Sequence, residues 1–263
     1  MTIFDATTAA HRDPSGDGPL AIDLDPSWQS RSGVHGGYLT AVAVRAATGS
    51  APGRSLRTAT TTFLRSTRPG PASLTVSTLR SGRSRTTLQV DVVQDGQATA
   101  TTRMTFVGAV VGETWETPSP PTLAPRDACI PLRPPEAALH FGHATALLDP
   151  SYQPFSSGPL ARVAGYVRPL EPRVIDEPWL VMILDWFPPS PFTHTAPPVG
   201  GPSIDYTVHV HRTAPRLGPD EWLSAELGCD ISSDGLALER GTVRDGGGRV
   251  LAESFHTRWT ATG

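Results

Sequence analysis

Two stretches of this 263-residue chain follow one plan, and that duplication constrains the fold more than any single motif. In the first half, an apolar, alanine-rich run over 36–47 opens on Gly36-Gly37. It reads as a buried helix entered through a glycine turn. Strand-like runs follow at 57–65, 72–80, 86–94 and 98–107, separated by turn signals at 68–71, 80–83 and Gln94-Asp95-Gly96. An Asp-Gly pair between two such runs signals a hairpin. In the second half, EPWLVMILDWF (177–187) is the helix, with Pro178 in its first turn and Pro188 ending it. Its strands fall at 203–211, 222–230, 237–244 and 250–259, with turns at Gly218-Pro219, Ser233-Asp234-Gly235 and 245–248. Equivalent landmarks keep nearly one spacing. Arg65 and Arg212 are 147 residues apart, Gly70 and Gly218 148, and Asp95 and Asp245 150. One helix followed by an antiparallel sheet, made twice, predicts an α+β chain. Pairing the two units covers the face and the edge that each alone would leave open.

Between the halves, prolines 118, 120, 121, 125, 131, 134 and 135 exclude a helix interior or a central strand. The reading is therefore a unit at 1–112, a Pro-rich linker at 113–157 with one helical turn near 136–140, and a unit at 158–263. A formal net charge of -3 gives no bulk attraction to nucleic acid. All 22 basic residues are arginine, so a Schiff-base lysine and a phosphate-gripping P-loop are both excluded. No G-x-S-x-G elbow supports an α/β-hydrolase serine. Cys129 and Cys229 lack metal or redox spacing and read as small buried thiols. His209-Val210-His211 and His140-Phe141-Gly142-His143 pair imidazoles without a cysteine or carboxylate in a zinc spacing, so neither metal nor cofactor is expected. Residues 1–13 lack the apolar core of a signal peptide, and no apolar run reaches the roughly 18 residues of a membrane span. The expected location is cytoplasmic, with no membrane partner.

Particular residues carry a resemblance. Leu79-Arg80-Ser81-Gly82-Arg83-Ser84, the strand ending Gln94-Asp95-Gly96 and the run from Ala98 to Phe106 resemble a hairpin and turn of hotdog thioesterases. Val34-His35-Gly36-Gly37-Tyr38 resembles the helix entry of the same group, and Leu184-Asp185, Ser203-Ile204-Asp205 and the run from Val250 to His256 extend the likeness into the second half. Over about 20–112 and 158–260 the chain resembles the type II acyl-CoA thioesterases. That resemblance implies a double hotdog fold and hydrolysis of a fatty acyl or related thioester by an activated water. The substrate would be an acyl-CoA or an acyl carrier protein thioester, with room for a homo-oligomer. Hotdog folds also host hydratases or dehydratases and non-catalytic acyl-CoA binders.

By position, the family's catalytic aspartate matches Asp185 and its threonine matches Ser203. Its glutamine falls at His256, where an imidazole can hold a water or take its proton. Asp185 also stands out without the resemblance, because a carboxylate amid Val181-Met182-Ile183-Leu184 and Trp186-Phe187 needs compensation if buried. Gly36 and Gly37, beside His35, either present free N–H groups to an oxyanion or simply let two backbones approach. His35 either helps bind the carbonyl or lies on the surface. Arg65, Arg68, Arg80, Arg83 and Arg85 are candidates for the phosphates of coenzyme A, expected to act as a cluster. The second helix opens on Asp176-Glu177-Pro178 without glycines, and the first carries no carboxylate. One working cleft per chain is therefore expected.

Overall fold

The structure is a computed structural model describing residues 1–12, 18–116, 123–133, 136, 138–194, 202–217 and 221–260. Its main elements are α1 (Ile3–Thr7), β1 (Leu20–Leu24), α2 (Gly36–Thr48), β2 (Ser55–Phe63), β3 (Gly70–Ser81), β4 (Arg85–Gln94) and β5 (Gln97–Val107). The second half supplies β6 (Ala144–Leu148), β7 (Arg162–Pro169), α3 (Glu177–Trp186), β8 (Ser203–Val210), β9 (Leu223–Ser233), β10 (Leu236–Arg244) and β11 (Val250–Trp259).

One antiparallel sheet runs through both halves in the order β1-β3-β4-β5-β2-β8-β11-β10-β9-β7-β6, with short strands His11–Arg12 and Ile130–Pro131 at its ends. The order reads as a mirror image about the β2–β8 seam. That seam pairs Thr60 with Thr207 and Thr62 with Asp205. The two units thus share their central edge and leave none open there. Each hotdog unit wraps its sheet around a helix, and α2 and α3 pack against each other inside.

Local chemistry explains these elements. The His35 ring caps α2 by accepting from Tyr38 N–H, and every residue from Gly37 to Val44 is buried. Asp176 caps α3, with Pro178 in the first turn; Phe187, extended ahead of Pro188, ends it. Both helices are apolar around most of their circumference, as helices largely enclosed by other elements must be. Asp95-Gly96 and Asp234-Gly235 both take positive φ at their hairpins, the conformation that primed two-residue turns demand. Trp28, Trp179, Trp186, Tyr38 and Tyr206 are the largest fully buried side chains.

Four expectations need correction. The stretch read as linker carries β6, which pairs with β7 along its whole length, so the second unit begins before residue 144. Its helical turn lies at Leu139–His143, a few residues later than expected. α1, β1, β6 and β7 are further elements that the sequence reading does not include; α1, β1 and β6 have only five residues each, and β7 is buried on both faces over 163–165 rather than alternating. Cys129 and Cys229 are half-buried and free rather than buried. The turn at Gly218-Pro219 and prolines 118, 120, 121, 134 and 135 lie outside the described residues.

Candidate active site

Asp185 is the next-to-last residue of α3 and only 5% exposed. Its burial is compensated from both units. One oxygen, Oδ2, accepts from Gly37 N–H at 2.7 Å, in the first turn of α2. The other, Oδ1, accepts from Arg258 Nη2 at 2.9 Å, on β11. The two glycines make this approach possible. A Cβ on Gly37 would stand 2.7 Å from Met182 O and 2.9 Å from Asp185 Cβ. A Cβ on Gly36 would stand 2.8 Å from Phe63 Cζ and 3.1 Å from Asp185 Oδ2. Side chains there would push the helices apart, so backbone proximity is what the glycine pair supplies.

Three histidines surround the carboxylate. His35 Nδ1 accepts from Tyr38 N–H, so its neutral ring carries the proton on Nε2. That nitrogen lies 3.0 Å from Asp185 O and 3.4 Å from its Oδ2. His140 stacks on His35 with centroids 4.4 Å apart, and its carbonyl accepts from Trp186 Nε1. His256 sets Nε2 2.6 Å from Ser203 Oγ and Nδ1 3.3 Å from Asp185 Oδ1. Nδ1 is buried and makes no hydrogen bond. A proton on Nδ1 facing the carboxylate leaves Nε2 to accept from the Ser203 hydroxyl. Burial is the leading cause that pushes all three rings down, His35 to about 4 and His140 and His256 to about 3; Arg258 adds to the effect at His256. All three are neutral at pH 7.

The sequence reading missed Arg258 and Glu239. Arg258 is buried and bridges two carboxylates, donating from Nη2 to Asp185 and from Nε to Glu239 Oε1 at 2.8 Å. Burial opposes its charge, but the attraction of Glu239 and Asp185 outweighs that and raises its pKa. Glu239, on β10, also accepts from Ser190 N–H. The buried cluster therefore holds two carboxylates, one guanidinium and neutral imidazoles. The available signal was a polar residue at every second, inward position of β11: Ser254, His256 and Arg258 alternate inward.

The structure brings Asp185, Ser203, His256, His35, Gly36 and Gly37 together. It does not leave Gly37 N–H free for an oxyanion, as expected, because that group holds Asp185. Nor do the five arginines form one cluster. β3 has 12 residues. At ~3.3 Å per residue it spans roughly 40 Å. Arg65 and Arg68 lie beside its start, near the entry to α2, where Val34 N–H donates to Thr67 O. Arg80, Arg83 and Arg85 surround the hairpin at its far end. All five are exposed; Arg68 pairs with Asp95, and Arg65 donates to Ala98 O.

At the pseudo-equivalent entrance to α3 the chemistry is reversed. α2 sends Arg45 there, 3.7 Å from the capping Asp176. Arg173 donates to both oxygens of Asp176 at 3.0 Å, and both arginines reach Asp5 of α1 at 3.1 Å. Phe4 packs under both guanidinium groups. The N-terminal helix thus partly covers this second entrance. Of the other imidazole pairs, His143 stacks on Trp28 and His211 pairs with Glu253. No helix among the described residues is long and apolar enough to cross a membrane.

Comparison with known proteins gives a consistent result. Residues 24–107 match the family model of the acyl-CoA thioesterase N-terminal domain, and 121–259 that of its C-terminal domain. No curated protein sequence matches significantly. Among solved structures, a hot dog protein of unknown function from Alicyclobacillus acidocaldarius superposes with a TM-score of 0.89 at 19% identity, covering 100% of this chain and 99% of its own. A candidate thioesterase II from Thermobifida fusca YX gives 0.87 at 22%, covering 99% and 98%. An acyl-CoA thioesterase II from Mycobacterium marinum gives 0.78 at 19%, also covering 99% and 98%. At these identities the structures speak to fold alone.

Proposed function

The chain belongs to the acyl-CoA thioesterase family of thioester hydrolases, and from that premise we propose that it hydrolyses fatty acyl or related thioesters at the buried carboxylate where α2 meets α3. The observation that carries this reading is the convergence on one buried carboxylate. Asp185 from the second unit meets the first turn of α2 from the first unit, with Ser203 and His256 beside it.

In this reading Asp185 takes the proton from a water that attacks the thioester carbonyl. Ser203 Oγ and His256 orient that water from the β8–β11 side. His256 can do so because it is neutral; as a cation it would compete with Arg258 for the carboxylate. Gly37 N–H fixes the aspartate, so the oxyanion faces the positive end of α2 as a whole rather than that one donor. His35, held by Tyr38 N–H, walls the site on the α2 side. Arg65 and Arg68 share the end of the sheet that holds the α2 entry and would meet the phosphates of coenzyme A there. Arg80, Arg83 and Arg85 are too remote to join them.

Thiol release from acyl-CoAs and matched acyl carrier protein thioesters, short to long, tests this reading. Turnover on at least one acyl-CoA is expected. Binding without turnover across the panel, or hydration of an enoyl-CoA without thiol release, would overturn it.

A further inference from the structure

The hydrolytic reading leaves a buried ion group without a role. Arg258 and Glu239 are 4% and 1% exposed, inside a protein whose other charged side chains mostly reach solvent. Burying such a pair costs several kcal/mol per ion before attraction repays it, and an apolar pair of similar volume would often stabilise as well. A network of this kind, one bond away from the carboxylate that does the chemistry, calls for a reason beyond stability.

Charge balance supplies one. With Arg258 alone beside it, Asp185 would be a fully neutralised partner in a tight ion pair, anionic but a poor proton acceptor. With no cation beside it, a carboxylate buried among Leu184, Trp186 and neutral rings would favour its protonated form. Glu239 changes the first situation. It takes the guanidinium Nε–H at 2.8 Å while Asp185 takes one Nη2–H at 2.9 Å, so a single positive charge is divided between two carboxylates. Several elements send groups toward Asp185. His35 and Gly37 N–H come from α2, His256 and Arg258 from β11, and Ser203 reaches it through His256 from β8. Tyr206, also on β8, is un-ionised and donates to Val181 O, and His140 stands behind His35. Among these only Arg258 carries positive charge at neutral pH, and Glu239 is the acid that shares it.

We propose that Arg258 and Glu239 are a positioning pair for hydrolysis: Arg258 keeps Asp185 ionised and aimed, and Glu239 draws off enough of the guanidinium's charge to leave Asp185 able to accept a proton. This rests on the thioesterase reading above. Glu239 is itself anchored, since its second oxygen accepts from Ser190 N–H just beyond α3.

The test is the pH dependence of kcat/KM in two variants that shift the balance in opposite directions. Glu239→Gln keeps the shape but only one acceptor oxygen, enough for Ser190 N–H or Arg258 Nε–H and not for both, and it removes the second negative charge, so Asp185 is left as the one anion paired with Arg258. Its acid limb should move down by about one pH unit, the scale expected for one charge removed at this range in a partly screened interior, with kcat lowered several fold. Arg258→Gln leaves two buried acids without a cation, and its acid limb should move up by about one unit or more. Arg258→Lys, a point charge unable to bridge both acids, should restore part of the limb position but not the full rate. Opposite shifts in folded variants support the proposal. Equal losses of kcat with unmoved limbs would overturn it and leave a structural role. No thiol release by the unaltered protein would instead sink the thioesterase reading itself.

Discussion

Acidification should unfold this protein through its neutral histidines well before its carboxylates protonate. His35, His140 and His256 are buried, with folded values near 4, 3 and 3 against an ordinary value of about 6.5. A depressed histidine binds its proton more readily when unfolded. Its stability contribution is therefore complete above the unfolded value and is lost as pH falls below it. Between pH 7 and 5.5 the unfolded ring goes from about one-quarter to about nine-tenths protonated, while the folded ring stays neutral. Linkage makes that about 1 kcal/mol per histidine, or a few kcal/mol for the three. His143, pushed down mainly by burial, adds in the same direction. The two aspartates with lowered values, Asp5 and Asp245, lose their contribution only below the ordinary carboxylate range and do not enter this window. The assay is urea unfolding followed by tryptophan fluorescence at half-unit pH steps, with the slope m checked for constancy. A loss below about 1 kcal/mol between pH 7 and 5.5 would refute the burial of these rings as neutral species.

Three other outcomes follow from the geometry. Gly37→Ala drives a Cβ into backbone at 2.7 Å from Met182 O, so it should cost about 1–3 kcal/mol of stability in denaturation and more than tenfold in kcat; Gly36→Ala meets the far end of the half-buried Phe63 side chain, which can swing aside, and should cost less on both counts. The double change Arg65→Ala, Arg68→Ala should raise KM for acyl-CoA several fold, whereas alanine at Arg80, Arg83 and Arg85 together should leave it unchanged, as steady-state kinetics would show. Asp5→Asn removes the carboxylate between Arg45 and Arg173 at the second entrance, a site partly open to solvent, and should lower the unfolding free energy by roughly 0.5–1 kcal/mol with kcat untouched.

The duplicated plan was legible because each unit repeats strong local signals: an apolar helix, alternating strands and Asp-Gly turns. Asp185 was legible for a similar reason, as an acid amid apolar residues must be answered by something. What answers it was not. Arg258 lies 73 residues further along, and Glu239 looks like one more charge on a strand of ordinary composition. Only the sheet order, which sets β10 and β11 beside the end of α3, makes them neighbours of Asp185. The use of Gly37 N–H was hidden for the same reason, since a glycine turn reads alike whether its N–H is free or taken. The arginines illustrate the reverse error. Five residues within 65–85 look clustered in sequence, yet a strand of 12 residues separates them in space.

The most direct measurement of the central claim is kcat/KM for acyl-CoA hydrolysis by Asp185→Asn beside the unaltered protein. The amide keeps the shape and can still accept from Gly37 N–H, but it cannot take a proton from water. The account predicts a loss of about 100-fold or more in a folded variant, within the range that a positioned general base supplies. Hydrolysis surviving within a few fold would contradict it and move the chemistry away from this carboxylate.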